Sequence, residues 1–173
     1  MNETERATLL GELDQGKADI LRAMDGVTEE MAARSTSLQR WSILECMEHI
    51  AISEEYLFGQ ILAAHRSDAP TASAKRESAI RVRGLDRTQK VPAPEVVKPV
   101  GEFSSLSEAL KRFLAARERT IRFVETCQED LRSQITTHPL VGPVNCYETL
   151  LTMAMHPIRH ARQIEEAKLA AGS

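Results

Sequence analysis

The sequence predicts an all-α protein, a four-helix bundle with one long crossover between its second and third long helices. Three observations predict it. Four stretches carry apolar residues at helical spacing with charged residues between them. The two middle stretches are separated by a proline-punctuated, basic connection from Ser67 to Ser105. Such a length suits a crossover along a bundle rather than a tight antiparallel turn. Hydrophobic content is 42% but aromatic content only 4%, so the core must be built from Leu, Ile, Val, Met and Ala. That mixture favours helices over stacked strands.

Helix one is predicted from about Glu3 to Met24, with Leu9, Leu10, Leu13, Ile20, Leu21 and Met24 as its apolar face, ended by Asp25-Gly26. Thr28 followed by Glu29 and Glu30 marks the start of one short extra turn. After a linker over Ser35 to Arg40, helix two begins just past Trp41, where Ser42 and Glu45 have capping-box spacing, and continues to about His65. Pro70, Pro92, Pro94 and Pro99 interrupt the crossover, which leaves room for a short helix over about Ala72 to Val82. Helix three is predicted from about Leu106 to Leu131, capped by Ser104 or Ser105 with Glu108; Arg117 falls on its apolar stripe. Ser133 to Asn145 reads as a loop, with no convincing strand. Helix four runs from about Cys146 to Ala170, with Asn145 and Glu148 at cap spacing.

Bulk properties exclude several functions. The 173 residues fit one domain. A formal net charge of −3 offers no basic excess for a phosphate backbone, which argues against nucleic-acid binding. No apolar run approaches a membrane span. The first residues are acidic where a signal peptide would be basic and then apolar, so a cytoplasmic location is expected. Cys46, Cys127 and Cys146 are odd in number and form no C-x-x-C pair, consistent with reduced thiols.

The chemistry concentrates in M-A-M-H-P-I-R-H-A-R-Q-I-E-E, residues 153–166. His156 and His160 stand at i and i+4, one turn apart on one helix face. Two imidazoles so placed can grip one transition-metal ion if a further ligand comes from elsewhere. His49, in W-S-I-L-E-C-M-E-H-I on helix two, is the candidate. The alternative is histidines that merely satisfy surface hydrogen bonds. Three imidazoles with open positions suit a reactive centre for Zn, Ni, Cu or Fe rather than a closed structural one. Pro157 removes the amide that would bond the Met153 carbonyl, so a kink or a loosened turn is expected there. Gln163 shares the stripe and either orients a histidine or a water or simply faces solvent. Glu45, one turn before His49, is the candidate proton acceptor, against the reading of a plain surface acid. Cys46 is read either as a ligand or as a small core residue. His138 either lines a pocket mouth or is simply exposed; Arg117 either meets a substrate carboxylate, or snorkels or pairs with a buried acid.

Four segments resemble the DinB-like superfamily in its order: W-S-I-L-E-C-M-E-H-I at 41–50, P-A-P-E-V-V-K-P at 92–99, H-P-L-V-G-P at 138–143 and H-P-I-R-H-A-R-Q-I-E-E at 156–166. The resemblance implies an up-down-down-up bundle with a divalent metal held by His49, His156 and His160. It implies frequent homodimers, and chemistry that is either metal-dependent hydrolysis or transfer involving a low-molecular-weight thiol. Two function classes follow. One is an enzyme in which a divalent metal lowers the pKa of a water or thiol for attack on a small-molecule substrate. The other is a non-catalytic metal-binding or stress-related oligomeric module.

Overall fold

The computed structural model describes residues 1–35, 40–67 and 74–171. Four long helices carry the fold: α1 (Glu3–Met24), α3 (Ile43–Leu62), α5 (Leu106–Thr126) and α6 (Cys146–Ala171). Two short ones, α2 (Glu29–Ala33) and α4 (Ala74–Leu85), lie in the connections. A single 3-10 turn spans Glu95–Val97.

The ends are set by local chemistry. Asn2 and Glu5 form a reciprocal capping box at the start of α1, and Ser42 and Glu45 form another at α3. Thr28 caps α2. Ser105 caps α5 by accepting the Glu108 amide, while the Glu108 carboxylate reaches the Ser104 amide. Two predicted helices overran. α3 stops at Leu62, because the chain turns into strand pairing at His65. α5 stops at Thr126, and Leu131, predicted as its last residue, is buried beyond the helix end. The predicted Ala72–Val82 helix is observed as Ala74–Leu85; Ala72 lies outside the described residues, as do residues 36–39 of the predicted linker.

Helix directions follow from contacts at both ends. In α3 and α5, Ile43 shares a cluster with Leu106 and Ala109, and Ile61 shares one with Ile121 and Val124, so these helices run parallel. Arg6, at the start of α1, donates to the Cys127 carbonyl past the end of α5, so α1 and α5 are antiparallel. Gly16 packs at Ala154 and Lys168 donates to the Ala23 carbonyl, so α1 and α6 are parallel. The topology is therefore up-down-down-up, and the long connection exists because α3 and α5 point the same way.

The expectation of no strand is corrected. β1 (His65–Arg66), β2 (Gln134–His138) and β3 (Gly142–Asn145) form a three-stranded antiparallel sheet in the order β1-β2-β3. Ile135, Thr136 and Val144 are buried, so the sheet closes one end of the core. Gly142 has φ 74°, a left-handed turn conformation available to glycine at little cost.

Apart from a small cluster of Leu151, Met155 and Ile158, the core has two apolar halves. One gathers Ile20, Ile43, Met47, Ile50, Phe113 and Ile164; the other gathers Leu9, Leu13, Leu57, Ile121, Leu150 and Met153. Between them lies a polar layer. Arg117 is fully buried and grips Glu54 with two bonds, Nε to Oε1 at 2.9 Å and Nη2 to Oε2 at 2.8 Å. Thr120 donates to the same carboxylate, and Arg117 also donates to the Leu13 carbonyl at 2.9 Å and the Met153 carbonyl at 2.7 Å. Met153 is the residue whose helical partner would be the missing amide of Pro157. Arg117 supplies the donor that Pro157 lacks, and α6 is helical from end to end through the proline. Gly16 lets α1 approach this point, since a β-carbon there would meet the Ala154 carbonyl at 2.8 Å. Among the described residues, no helix is long and apolar enough to cross a membrane.

Candidate metal centre

His49 stands in the second turn of α3, and His156 and His160 face it from successive turns of the antiparallel α6. Their ring centroids are 4.4–4.9 Å apart. The Nε2 atom of His156 lies 3.1 Å from Nε2 of His49 and 3.0 Å from Nε2 of His160, and a ligand nitrogen from each ring lies within 4.8 Å of the others. Ligands with bonds of 2.0–2.1 Å to one ion sit about 2.9 Å apart at right angles and about 3.3 Å apart at tetrahedral angles. The two short spacings fall in that interval.

The outer nitrogens decide where the protons are. His49 Nδ1 lies 2.6 Å from the Val97 carbonyl, which can only accept, so the ring donates there and its Nε2 presents a lone pair. His160 Nδ1 lies 3.0 Å from Gln163 Oε1. Arg87 Nη1 donates to the same oxygen at 3.2 Å, which fixes the amide with its oxygen inward. His160 therefore also donates through Nδ1 and turns the Nε2 lone pair to the centre. His156 Nε2 can offer one proton at most, yet two lone pairs face it. A cation among the rings would meet all three lone pairs, so the chemistry of the donor set, three neutral imidazoles, fits a metal.

Burial lowers the pKa of all three rings. For His156 and His160 the effect is large and is reinforced by the neighbouring imidazoles, with Arg117 and Arg159 beside His156 and Arg87 beside His160 adding to it. The rings are thus held neutral, the form that ligates. Trp41 packs against His49 with centroids 4.8 Å apart. His49 and His160 are buried, whereas His156 is half-buried and leaves the centre reachable from its side.

Two features outside the histidines hold the arrangement. Glu48, almost fully buried, accepts the amides of Val100, Gly101 and Glu102 at 2.7–3.0 Å through Oε1, strapping the crossover to α3 so that Val97 meets His49. Arg159 and Arg162 of α6 donate to carbonyls at the end of α4, among them Arg83 at 3.0 Å and, with Arg162, Leu85. Sequence reasoning passed over Glu48, although an acid beside a candidate ligand on a buried face is a usable signal. The partner of Arg117 was legible too, since Glu54 continues the apolar stripe of Met47, Ile50 and Leu57.

The other named residues fall elsewhere. The Glu45 carboxylate accepts the Ser42 amide at 2.7 Å and is engaged in the α3 cap. Arg117, weighed either as a pocket residue or as the snorkelling or buried partner of an acid, is a core residue paired with the buried Glu54. His138 sits in β2 at the hairpin turn, where its Nδ1 accepts the Leu140 amide at 3.2 Å, and it does not join the cluster. Gln163 is in contact with His160. Burial pushes the Cys46 thiol up to about 12, and Cys46 is not among the clustered ligands.

The fold and this centre define a class: helical bundles with an all-histidine centre between antiparallel helices. The model of the DinB superfamily matches residues 12–164, and the chain belongs to that family. Its similarity to the uncharacterised protein YuaE of Bacillus subtilis strain 168 is 22% identity over 155 residues, covering 90% of this chain and 94% of that protein. Among solved structures it is similar to YfiT from Bacillus subtilis, described as a probable metal-dependent hydrolase with an unusual four-helix bundle topology. That match has a TM-score of 0.64 at 12% identity, covering 99% of this chain and 90% of the other.

Proposed function

We propose that this protein binds a divalent transition-metal ion through His49, His156 and His160 and is a metal-dependent hydrolase of a small-molecule substrate. One observation carries the reading: three neutral imidazoles turn their Nε2 atoms to a common point that no proton arrangement among them can satisfy. When bound, the ion supplies Lewis-acid polarisation and brings the pKa of a neighbouring water toward neutrality. Val97 and Gln163 hold two of the rings by their Nδ1–H bonds, fixing orientation and raising ligand basicity. Among the described residues no carboxylate joins the three nitrogens, and solvent at the half-buried edge of His156 is where a released proton would go. The imidazole set accepts Zn, Ni or Fe.

The test is metal content of the purified protein, then turnover with and without chelator over esters, amides and a thiol-conjugation panel. Chelator-sensitive ester or amide cleavage supports the proposal. Activity confined to thiol conjugation moves the reading to a thiol-dependent transferase. Tight metal binding without turnover leaves a metal-binding module, and no metal at all refutes the site. We further propose a homodimer, on the family resemblance; light scattering should give twice the chain mass of 19.3 kDa.

A further inference from the structure

We propose that Arg87, on the crossover, is a positioning residue that sets the tautomer of His160 by selecting which end of the Gln163 amide meets the ring. The inference deepens the metal-site reading and rests on it for its functional meaning. The geometry is a relay across two parts of the chain. Glu166 of α6 accepts Arg87 Nη2 at 3.0 Å and Nε at 3.4 Å, which seats the guanidinium. Arg87 Nη1 then donates to Gln163 Oε1 at 3.2 Å, and the same oxygen lies 3.0 Å from His160 Nδ1.

An isolated glutamine would not decide the outcome. Its side-chain amide is nearly symmetric in shape and can turn either its oxygen or its NH2 toward the ring. With the oxygen inward, His160 carries its proton on Nδ1 and offers an Nε2 lone pair to the centre. With the NH2 inward, Nδ1 must accept, the proton moves to Nε2, and a ligating lone pair becomes an N–H. Arg87 breaks the symmetry because a guanidinium has donors only and must be met by the oxygen. The crossover thus does more than span the bundle: one of its side chains writes the protonation pattern of a histidine on α6.

The experiment reads the imidazole nitrogens of the metal-free protein by 15N NMR above neutral pH, alongside zinc affinity by chelator competition. Wild type should show His160 protonated at Nδ1. Arg87→Ala should shift His160 toward the Nε2–H form and weaken zinc tenfold or more, in the range found for groups that orient metal ligands. Arg87→Lys, which keeps a donor-only head, should retain most of the Nδ1–H form. Arg87→Ala combined with Gln163→Glu should restore both readouts, because a carboxylate has no donor end to misplace. An unchanged tautomer in Arg87→Ala overturns the proposal. So does failure of Gln163→Glu to rescue, which would reduce Arg87 to a clamp on the crossover. Should wild type bind no zinc, the proposed function fails while the tautomer measurement still decides the role of Arg87.

Discussion

Replacing Arg117 with Met tests how the core supports the centre. The substitution leaves Glu54 as an unpaired buried carboxylate, a loss of about 3–5 kcal/mol by the behaviour of broken buried pairs. It also orphans the Met153 carbonyl, which Pro157 cannot satisfy, adding about 1–3 kcal/mol. Against a typical total of about 5–15 kcal/mol, the variant approaches its unfolding threshold. The two contributions separate by further substitution. Glu54→Leu in the Arg117→Met background removes the stranded charge and should recover most of the first loss. Pro157→Ala returns an amide to the Met153 carbonyl and should recover the second. Urea unfolding of the chelator-treated protein, followed by circular dichroism, measures each. The reasoning fails if Arg117→Met and Pro157→Ala combine additively to within about 0.5 kcal/mol, because residues sharing one carbonyl must couple.

Three other outcomes are expected. The metal-free protein should lose stability as pH falls below about 6.5, because unfolded imidazoles take protons there while buried His156 and His160, with pKa values held well below that, resist until lower pH. Replacing both with Gln should flatten that slope in thermal melts between pH 7 and 5. Cys46 and Cys146, both buried with thiols pushed up to about 12, should resist iodoacetamide in the native state, and mass mapping should find Cys127 modified first. Glu48→Ala should speed hydrogen exchange at Val100, Gly101 and Glu102 and weaken metal binding about tenfold as Val97 loses its register on His49.

Much of this was legible because helical spacing and caps are local. The span of α1, the caps at Ser42 and Thr28, and the start of α6 at Cys146 follow from a few adjacent side chains. The pairing of His156 with His160 was legible because i,i+4 spacing survives folding intact, whereas His49 meets them only through the packing of α3 against α6. The strands were missed because β2 and β3 are only five and four residues long, and β3 contains Pro143, which speaks against a strand. The fate of Pro157 was not legible at all. Its missing bond is made good by Arg117, thirty-six positions from Met153 along the chain, and only the packed bundle brings the two together.

Helices packed through apolar side chains alone can trade one ridge-and-groove setting for the next by sliding a turn, about 5.4 Å, at modest cost. Arg117 forbids that trade here. Rooted in α5, it touches α1 at Leu13, α3 at Glu54 and α6 at Met153, so all four helices are indexed to one guanidinium. A slipped helix would drag Glu54 or a bare carbonyl into hydrocarbon. The axial setting that places His49 opposite His156 is therefore a detent built into the core, and substitutions on the outer faces of α3 and α6 can drift without moving the two rings apart.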